Sequence, residues 1–232
     1  MINLIRTTST TYVSRFVTVA PVAIVILAMC LRLYGLDWDE GYLFHPDERA
    51  ILFHVNDMSW PSSGSWGSLF DPANSPLNPQ WFPYGSLPMY MAFIAKTIIS
   101  PITHLDFHDM SILGRILSSL ADVGSVAVVY LLGRRLYSNK VGLLASLLTA
   151  LSVLHIQLSH FYTVDTFLTF FVLTSVYFMS RIMDYGRPRD SIYAGVFLGL
   201  ALASKISILP IFLTFFIAHA LSKKNTHSFQ IL

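Results

Sequence analysis

Charged residues are scarce in this sequence. Only 12% of its 232 residues are Asp, Glu, Lys or Arg, whereas a soluble domain carries about 25%. Hydrophobic residues make up 54%, and several apolar runs approach or exceed the roughly 18 residues that suggest a membrane helix. This composition excludes a soluble protein with a large core. It predicts an all-α, polytopic membrane protein.

The sequence also lacks features that mark other classes of membrane protein. Its one cysteine, Cys30, permits no intrachain disulfide and says little about compartment. There is no internal repeat, whereas a secondary transporter normally shows repeated halves. Beyond Asp122 the interiors of the predicted spans are nearly free of charge, which argues against a channel with a polar pore.

Basic residues decide the predicted topology. The apolar run Phe16–Leu36 is long for a signal-peptide core and no cleavage site follows it, so we expect an uncleaved first span. The later basic turns share the cytoplasmic face only if the apolar segment Tyr84–Ile102 does not cross the bilayer. The basic residues then collected inside are Arg6, Arg15, Arg134, Arg135, Lys140, Arg181, Arg187, Arg189, Lys223 and Lys224. We therefore predict about six spans, with both ends of the chain cytoplasmic.

The predicted organisation has three parts. A cytoplasmic N-terminus (1–15) precedes a membrane module (16–224) with an outer loop at 37–110, and a short tail (225–232) follows. Pro88 and Lys96 suit a segment that lies in the outer interface or re-enters it. The run Ile192–Leu221 must contain two short helices that turn near Lys205–Pro210. Arg32, near the outer end of the first span, is expected to snorkel to the interface.

An acidic stretch from Leu36 to Trp60 follows the first span. It holds six Asp or Glu residues against one cation, Arg49. In the phrase His-Pro-Asp-Glu-Arg at 45–49, proline suits the first position of a helix and acids suit its first turn. Ile51, Leu52, Val55 and Met58 follow at helical spacing. The pattern predicts a short amphipathic helix with two carboxylates at its start; the alternative is a solvated acidic loop.

The predicted topology brings most of the unusual polar residues to the outer face. They are Asp39, Glu40, Asp47, Glu48, Arg115, His160, Asp165 and Lys205. The cations suit an anionic group such as a phosphate, and a carboxylate there suits a general base. Snorkelling is the alternative for Arg115 and Lys205. We favour a structural role for Asp122, and a solvated turn over a metal site for His104 and His108.

Several phrases together resemble the GT-C class of membrane glycosyltransferases. Within it the chain is similar to glycosyltransferase family 39, which includes protein O-mannosyltransferases and lipid A aminoarabinose transferases. The matching phrases are HPDER at 45–49, FPYGSLPMY at 82–90, GRILSSLADVGSVAVVYLLGRRLY at 114–137, LSHFYTVDTFLTFF at 158–171 and LGLALASKISILP at 198–210. Their order and spacing carry the resemblance, from about Ala28 to Lys224.

The resemblance implies a fold, a reaction and a site. The fold has two membrane-parallel helices in the first outer loop. The reaction moves a sugar from a polyprenyl-phosphate donor to an acceptor on the outer face of the plasma membrane. The implied roles are Asp47 as catalytic base with Glu48 beside it, Arg115 and Lys205 at the donor phosphate, and Asp165 as a further site residue. The predicted topology adds His160 to this site. No cofactor, metal or nucleic-acid partner is implied, and the sugar and acceptor stay open.

The chain departs from these families in places. Trp81 and Phe82 stand where the aminoarabinose transferases have an acidic and a basic residue, so a metal is not expected there. Relatives continue beyond this length, which suggests a fragment or truncated product. The alternative function is a non-enzymatic module that binds or transports the carrier lipid, or an inactive remnant. Asp39 precedes the predicted helix and is interpreted as solvated, so its loss is expected to matter little.

Overall fold

The computed structural model describes residues 19–222, and every regular element in this range is a helix. The α-helices are α1 (Val19–Leu33), α2 (Pro46–Asp57), α3 (Leu87–Ile99), α4 (Phe107–Leu136), α5 (Asn139–Ala150), α6 (Val153–Ser159), α7 (Val164–Tyr185), α8 (Pro188–Ser204) and α9 (Ile211–Ala220). Short 3₁₀ turns occupy Trp66–Phe70 and Ile206–Ile208. The predicted all-α class is confirmed. The predicted N-terminal segment, the tail, and Arg6, Arg15, Lys223 and Lys224 lie outside the described residues.

Helix length limits which elements cross a bilayer. By length and composition α4 and α7 qualify, and α5 with α6 makes a third span if the pair, bent by 56°, is counted as one. The other apolar helices are shorter than the roughly 20 residues that a span needs. The described residues therefore contain two or three spans by this criterion, fewer than the six predicted. The run Ile192–Leu221 does break after Ser204, as expected.

Helix α3 covers most of the segment whose placement decided the topology. Its 13 residues extend about 20 Å at about 1.5 Å per residue, less than the hydrocarbon core of about 30 Å. It packs on α2, α4 and α8. A helix this short does not cross a bilayer by itself, which agrees with the interfacial position predicted for it.

Helix α4 is the centre of the bundle. It packs along α5 and α7, and α5 approaches so closely that a Cβ on Gly133 would lie 2.8 Å from the Cα of Gly142. Twenty residues separate Arg115, near its start, from Arg135, near its end, or about 30 Å. That distance matches the hydrocarbon thickness of a bilayer. We call the end with residues 34–106 the loop end and the other the basic end.

Ion pairs join the helices at the basic end. Arg135 Nη2 lies 2.7 Å from Asp184 Oδ2 and links α4 to α7. Arg181 Nε lies 2.8 Å from Asp190 Oδ1 and links α7 to α8. The two predicted cytoplasmic turns that carry Arg135 and Arg181 therefore lie at the same end of the bundle. The side of a membrane that this end faces stays a prediction.

A buried ion pair lies at the break between α5 and α6. Arg32 of α1 is 0% exposed. Its guanidinium donates to Asp122 Oδ2 at 2.5 Å and to the carbonyls of Ala150 and Thr149, which end α5. His155 Nδ1 lies 2.6 Å from the other Asp122 oxygen. The expected snorkelling of Arg32 is therefore wrong, because carbonyls freed by a helix break inside a membrane need a donor.

The largest core lies beneath the loop end. Ile51, Leu52 and Val55 of α2, and Met58 directly after it, are at most 3% exposed and pack with residues of α3, α4 and α7. The predicted amphipathic face of α2 is confirmed. Burial of this face fixes the rotation of α2 about its axis, and thereby the directions in which its two acidic residues point.

Candidate functional site

The start of α2 separates the two acidic residues predicted to act together. His45 caps the helix, because its Nδ1 accepts from the backbone N–H of Asp47 at 3.2 Å, and Pro46 occupies the first turn. Neighbouring helical residues differ by about 100° in direction. Glu48 is consequently buried, whereas Asp47 is half-buried on another side. The two carboxylates belong to different groups of residues.

Glu48 belongs to a buried group that we call the Arg115 cluster, comprising Arg115, Asp39 and Glu48. Arg115 Nε and Nη2 donate to the Glu48 oxygens at 2.8 and 2.9 Å. Arg115 Nη1 and Nη2 donate to the Asp39 oxygens at 2.8 and 2.7 Å. Nη1 also donates to the carbonyl of Leu36 at 2.7 Å. The cluster ties the start of α4 to α2 and to the loop after α1.

These contacts use all the donors that Arg115 has. A guanidinium carries five N–H groups, and the side chain is 0% exposed. The predicted contact between Arg115 and a donor phosphate is not supported by this geometry, because a phosphate would have to displace a carboxylate. Glu48 is equally engaged, since its Oε1 also accepts from the Tyr162 N–H at 3.0 Å. Arg115 and Glu48 therefore join parts of the fold to one another, and neither side chain is exposed to solvent.

The interpretation of Asp39 as a solvated loop residue is wrong. It is 3% exposed, and the hydrogen bond from Arg115 holds the pKa of its carboxyl below the usual value. Its oxygens also accept from the backbone N–H groups of Gly41 and Leu43 at 3.3 and 3.0 Å. Glu40 and Leu43 have φ of 50° and 51°, each costing about 1–2 kcal/mol. Asp39 thus stabilises a strained loop, while Glu40 is exposed.

A second group, the Tyr84 cluster, comprises Asp47, Tyr84, Asp165 and Lys205. The Tyr84 hydroxyl donates to Asp47 Oδ2 at 3.1 Å. Lys205 Nζ lies 5.5 Å from the centre of the Tyr84 ring and donates to Asp165 Oδ1 at 2.9 Å. The Lys205 and Asp165 side chains are 32% and 40% exposed. Three predicted site residues therefore meet at a surface that solutes can reach.

A backbone contact brings Tyr84 to the end of α8. The Gly85 N–H donates to the carbonyl of Ser204 at 3.0 Å. A Cβ at position 85 would lie 1.9 Å from the carbonyl oxygen of Ala203, so only glycine fits there. Lys205 follows directly after α8, and Asp165 lies in the first turn of α7. Three elements distant in sequence thus converge on Tyr84.

Burial, and then the hydrogen bond to Asp47, raise the pKa of Tyr84 above its ordinary value. The phenol therefore stays protonated at neutral pH and acts as a donor. Lys205 has three N–H donors, of which one is engaged by Asp165. The cluster presents a carboxylate and a partly free ammonium side by side, the combination that proton removal and anion binding require.

His160 and the other histidines lie apart from this cluster. The ring nitrogens of His160 face the carbonyls of Ile156 and Tyr34 at 2.7 and 2.8 Å, so this predicted site residue joins α6 to the end of α1. His108 Nε2 lies 3.2 Å from Asp37 Oδ1. Within residues 19–222, no group of three or more His, Cys, Asp or Glu side chains is arranged to hold a metal ion.

Sequence reasoning misjudged one residue of these clusters, Asp39, and missed another, Tyr84. Asp39 and Arg115 are 76 positions apart, and no local pattern distinguishes Asp39 from the exposed Glu40 beside it. Tyr84 appears in the sequence only as part of a Pro-Tyr-Gly phrase. The one available signal was that phrase, because a glycine after a turn often marks a close backbone approach.

The family model for dolichyl-phosphate-mannose-protein mannosyltransferases matches residues 88–231, more than half of the chain. The match includes Arg115, Asp165 and Lys205 but begins after α2 and its acidic residues. No curated protein matches the chain significantly.

Proposed function

Since the chain belongs to the dolichyl-phosphate-mannose-protein mannosyltransferase family of GT-C-type membrane glycosyltransferases, we propose that it transfers a sugar from a polyprenyl-phosphate donor to an acceptor hydroxyl. We place the reaction at the loop end, on the outer face of the membrane. The basic residues at the opposite end of α4 and α7 support that orientation through the positive-inside rule. Family membership makes it an integral membrane glycosyltransferase; the donor, the acceptor side and the residue roles are our proposal.

The observation that carries the proposal is the pairing of Asp47 with Lys205 across Tyr84. In the transfer, the acceptor oxygen forms a bond to the anomeric carbon of the sugar while the bond from that carbon to the phosphate oxygen breaks. Asp47 takes the proton of the acceptor hydroxyl. Lys205 binds the phosphate, which gains negative charge as it leaves. A half-buried carboxylate and a half-exposed ammonium in one cluster suit those two tasks.

Asp165 and the Arg115 cluster have supporting roles in this scheme. Asp165 holds the flexible Lys205 side chain and leaves two of its N–H donors for phosphate oxygens. Arg115 fixes α2 through Glu48 and fixes the loop through Asp39. We therefore reassign Arg115 and Glu48 from substrate contacts to positioning residues for Asp47.

Replacement of Asp47 by Asn tests the proposal. General-base help is worth about 10²–10⁴-fold, so Asp47→Asn should lower turnover by about that factor. The assay uses membranes that contain the protein, a polyprenyl-phosphate sugar donor, and the amount of inserted protein as a reference. Asp57→Asn is the matched control, because Asp57 is an exposed acid on the same helix. Transfer by Asp47→Asn at the level of this control would contradict the role of Asp47.

The same assay separates the enzyme from a binding module. Wild-type protein that binds polyprenyl phosphate yet transfers no sugar to any hydroxyl or water would favour a carrier-lipid binding function. If the release of sugar from the donor depends on Asp47, the protein has a transferase site, even before the acceptor is known.

A further inference from the structure

Tyr84 contacts both halves of the proposed reaction centre. Its hydroxyl meets Asp47, and its ring meets Lys205. The residue lies outside the part of the chain that matches the family model. Within residues 19–222, no hydrogen bond or ion pair joins Asp47 of α2 directly to Lys205, which follows α8. Tyr84 therefore bridges Asp47 on α2 and Lys205 after α8.

Resting on the proposed function, we propose that Tyr84 is a positioning residue with two separable roles. Its hydroxyl orients the Asp47 carboxylate for proton transfer, and its ring orients the Lys205 ammonium for the donor phosphate. The first role acts on turnover and the second acts on donor binding.

The first role follows from how a carboxylate is held. The terminal torsion of an aspartate side chain is soft, so a carboxylate without a fixed donor rotates. Among the described residues, Tyr84 is the one side chain that donates to Asp47. This bond uses Oδ2, so Oδ1, which accepts no hydrogen bond from the described residues, is left to accept the proton of an acceptor hydroxyl. Fixing a reacting group in this way raises the rate of the chemical step.

The second role follows from the two sides on which Lys205 is held. Asp165 binds the ammonium by one hydrogen bond, and the ring of Tyr84 faces it within the roughly 6 Å at which an aromatic ring attracts a cation. A lysine side chain has many rotamers, and two contacts restrict it more than one. Lys205 therefore reaches a phosphate at a lower entropic cost when the ring is present.

Tyr84 itself is well fixed. The Trp81 ring meets it edge to face, with centres 5.9 Å apart, and the next residue, Gly85, docks on the end of α8. Burial keeps the hydroxyl protonated, as its raised pKa indicates. A rigid donor whose own position is set by packing is what a positioning role requires.

Two substitutions separate the roles. Tyr84→Phe removes the hydroxyl and keeps the ring, whereas Tyr84→Ala removes both. We expect Tyr84→Phe to lower kcat by about 10-fold or more, the worth of a hydrogen bond to a charged group, with the donor KM within about twofold of wild type. We expect Tyr84→Ala to show the same loss of kcat and also a donor KM raised by about 2–5-fold, as a cation–π contact at a partly exposed site predicts.

Tyr42→Phe is the matched control, because Tyr42 lies at the same end of the bundle, between α1 and α2, and is 71% exposed. It should leave both constants unchanged. Thermal unfolding in detergent shows whether each variant is folded. A general loss of structure would lower kcat in both Tyr84 variants, but it would not raise the donor KM in Tyr84→Ala alone. A normal kcat for Tyr84→Phe, or a donor KM raised equally by Phe and Ala, overturns the inference.

The outcome is distinct from that of the proposed function. If Asp47→Asn abolishes transfer and Tyr84→Phe does not slow it, only the inference about Tyr84 fails. If the wild-type protein transfers no sugar, binding of polyprenyl phosphate to wild type and Tyr84→Ala still tests the ring, and equal affinities overturn its role.

Discussion

Replacement of Arg115 by Lys distinguishes a structural arginine from a phosphate ligand. Lysine keeps the charge but offers three N–H donors on a point-like ammonium, whereas Arg115 makes five hydrogen bonds in a planar fork. At least two bonds are lost. A hydrogen bond to a charged group is worth about 1.5–3 kcal/mol, so the variant should be destabilised by about 3–6 kcal/mol.

The assay is thermal unfolding of the purified protein in detergent, together with the donor KM of the folded fraction. For a chain of this size, a loss of 1 kcal/mol in stability lowers Tm by about 2–4 °C. We therefore expect the Tm of Arg115→Lys to be roughly 10 °C lower than that of the wild type. The donor KM of the folded protein should stay unchanged, because all five Arg115 donors face protein oxygens. Arg49→Lys is the control, since Arg49 is exposed on α2. A wild-type Tm combined with a donor KM raised tenfold would refute this reasoning and restore Arg115 as a phosphate ligand.

Two further predictions concern the loop end and its orientation. Gly85→Ala should reduce sugar transfer strongly with the protein still inserted, because a Cβ would overlap the Ala203 carbonyl and displace Tyr84 from Lys205. Gly67→Ala is the control, since a Cβ there meets no atom within 4 Å. Equal activity of the two variants would contradict the docking role of Gly85. The orientation can be tested with single cysteines in a Cys30→Ala background. Tyr137→Cys at the basic end should react with an impermeant thiol reagent only after the membrane is permeabilised, whereas Phe70→Cys in the loop should react in intact cells. The reverse pattern would invert the proposed topology.

Helix α2 was predictable from the sequence because its determinants are local. Pro46 at the first position, acids in the first turn and apolar residues at helical spacing act within one short segment. The interfacial placement of α3 stays a prediction from the charges that flank the later helices, and the length of 13 residues agrees with it. The break between α5 and α6 was not predictable, because residues 139–159 contain no proline and the glycine at 142 lies far from the bend.

The tertiary structure decided which acidic residues are buried in ion pairs and which stay accessible. Asp37, Asp39 and Glu40 have the same local surroundings, yet only Asp39 is buried, because only its carboxylate meets the guanidinium of a helix that begins about 70 residues later. Asp47 and Glu48 are neighbours that the burial of one face of α2 turns in different directions. Sequence pattern determined that carboxylates and cations gather at one end of a membrane bundle. Their division into a buried, saturated cluster and a half-exposed one depends on packing between helices, since a side chain's hydrogen-bond partners are set by contacts across the fold and not by its neighbours along the chain.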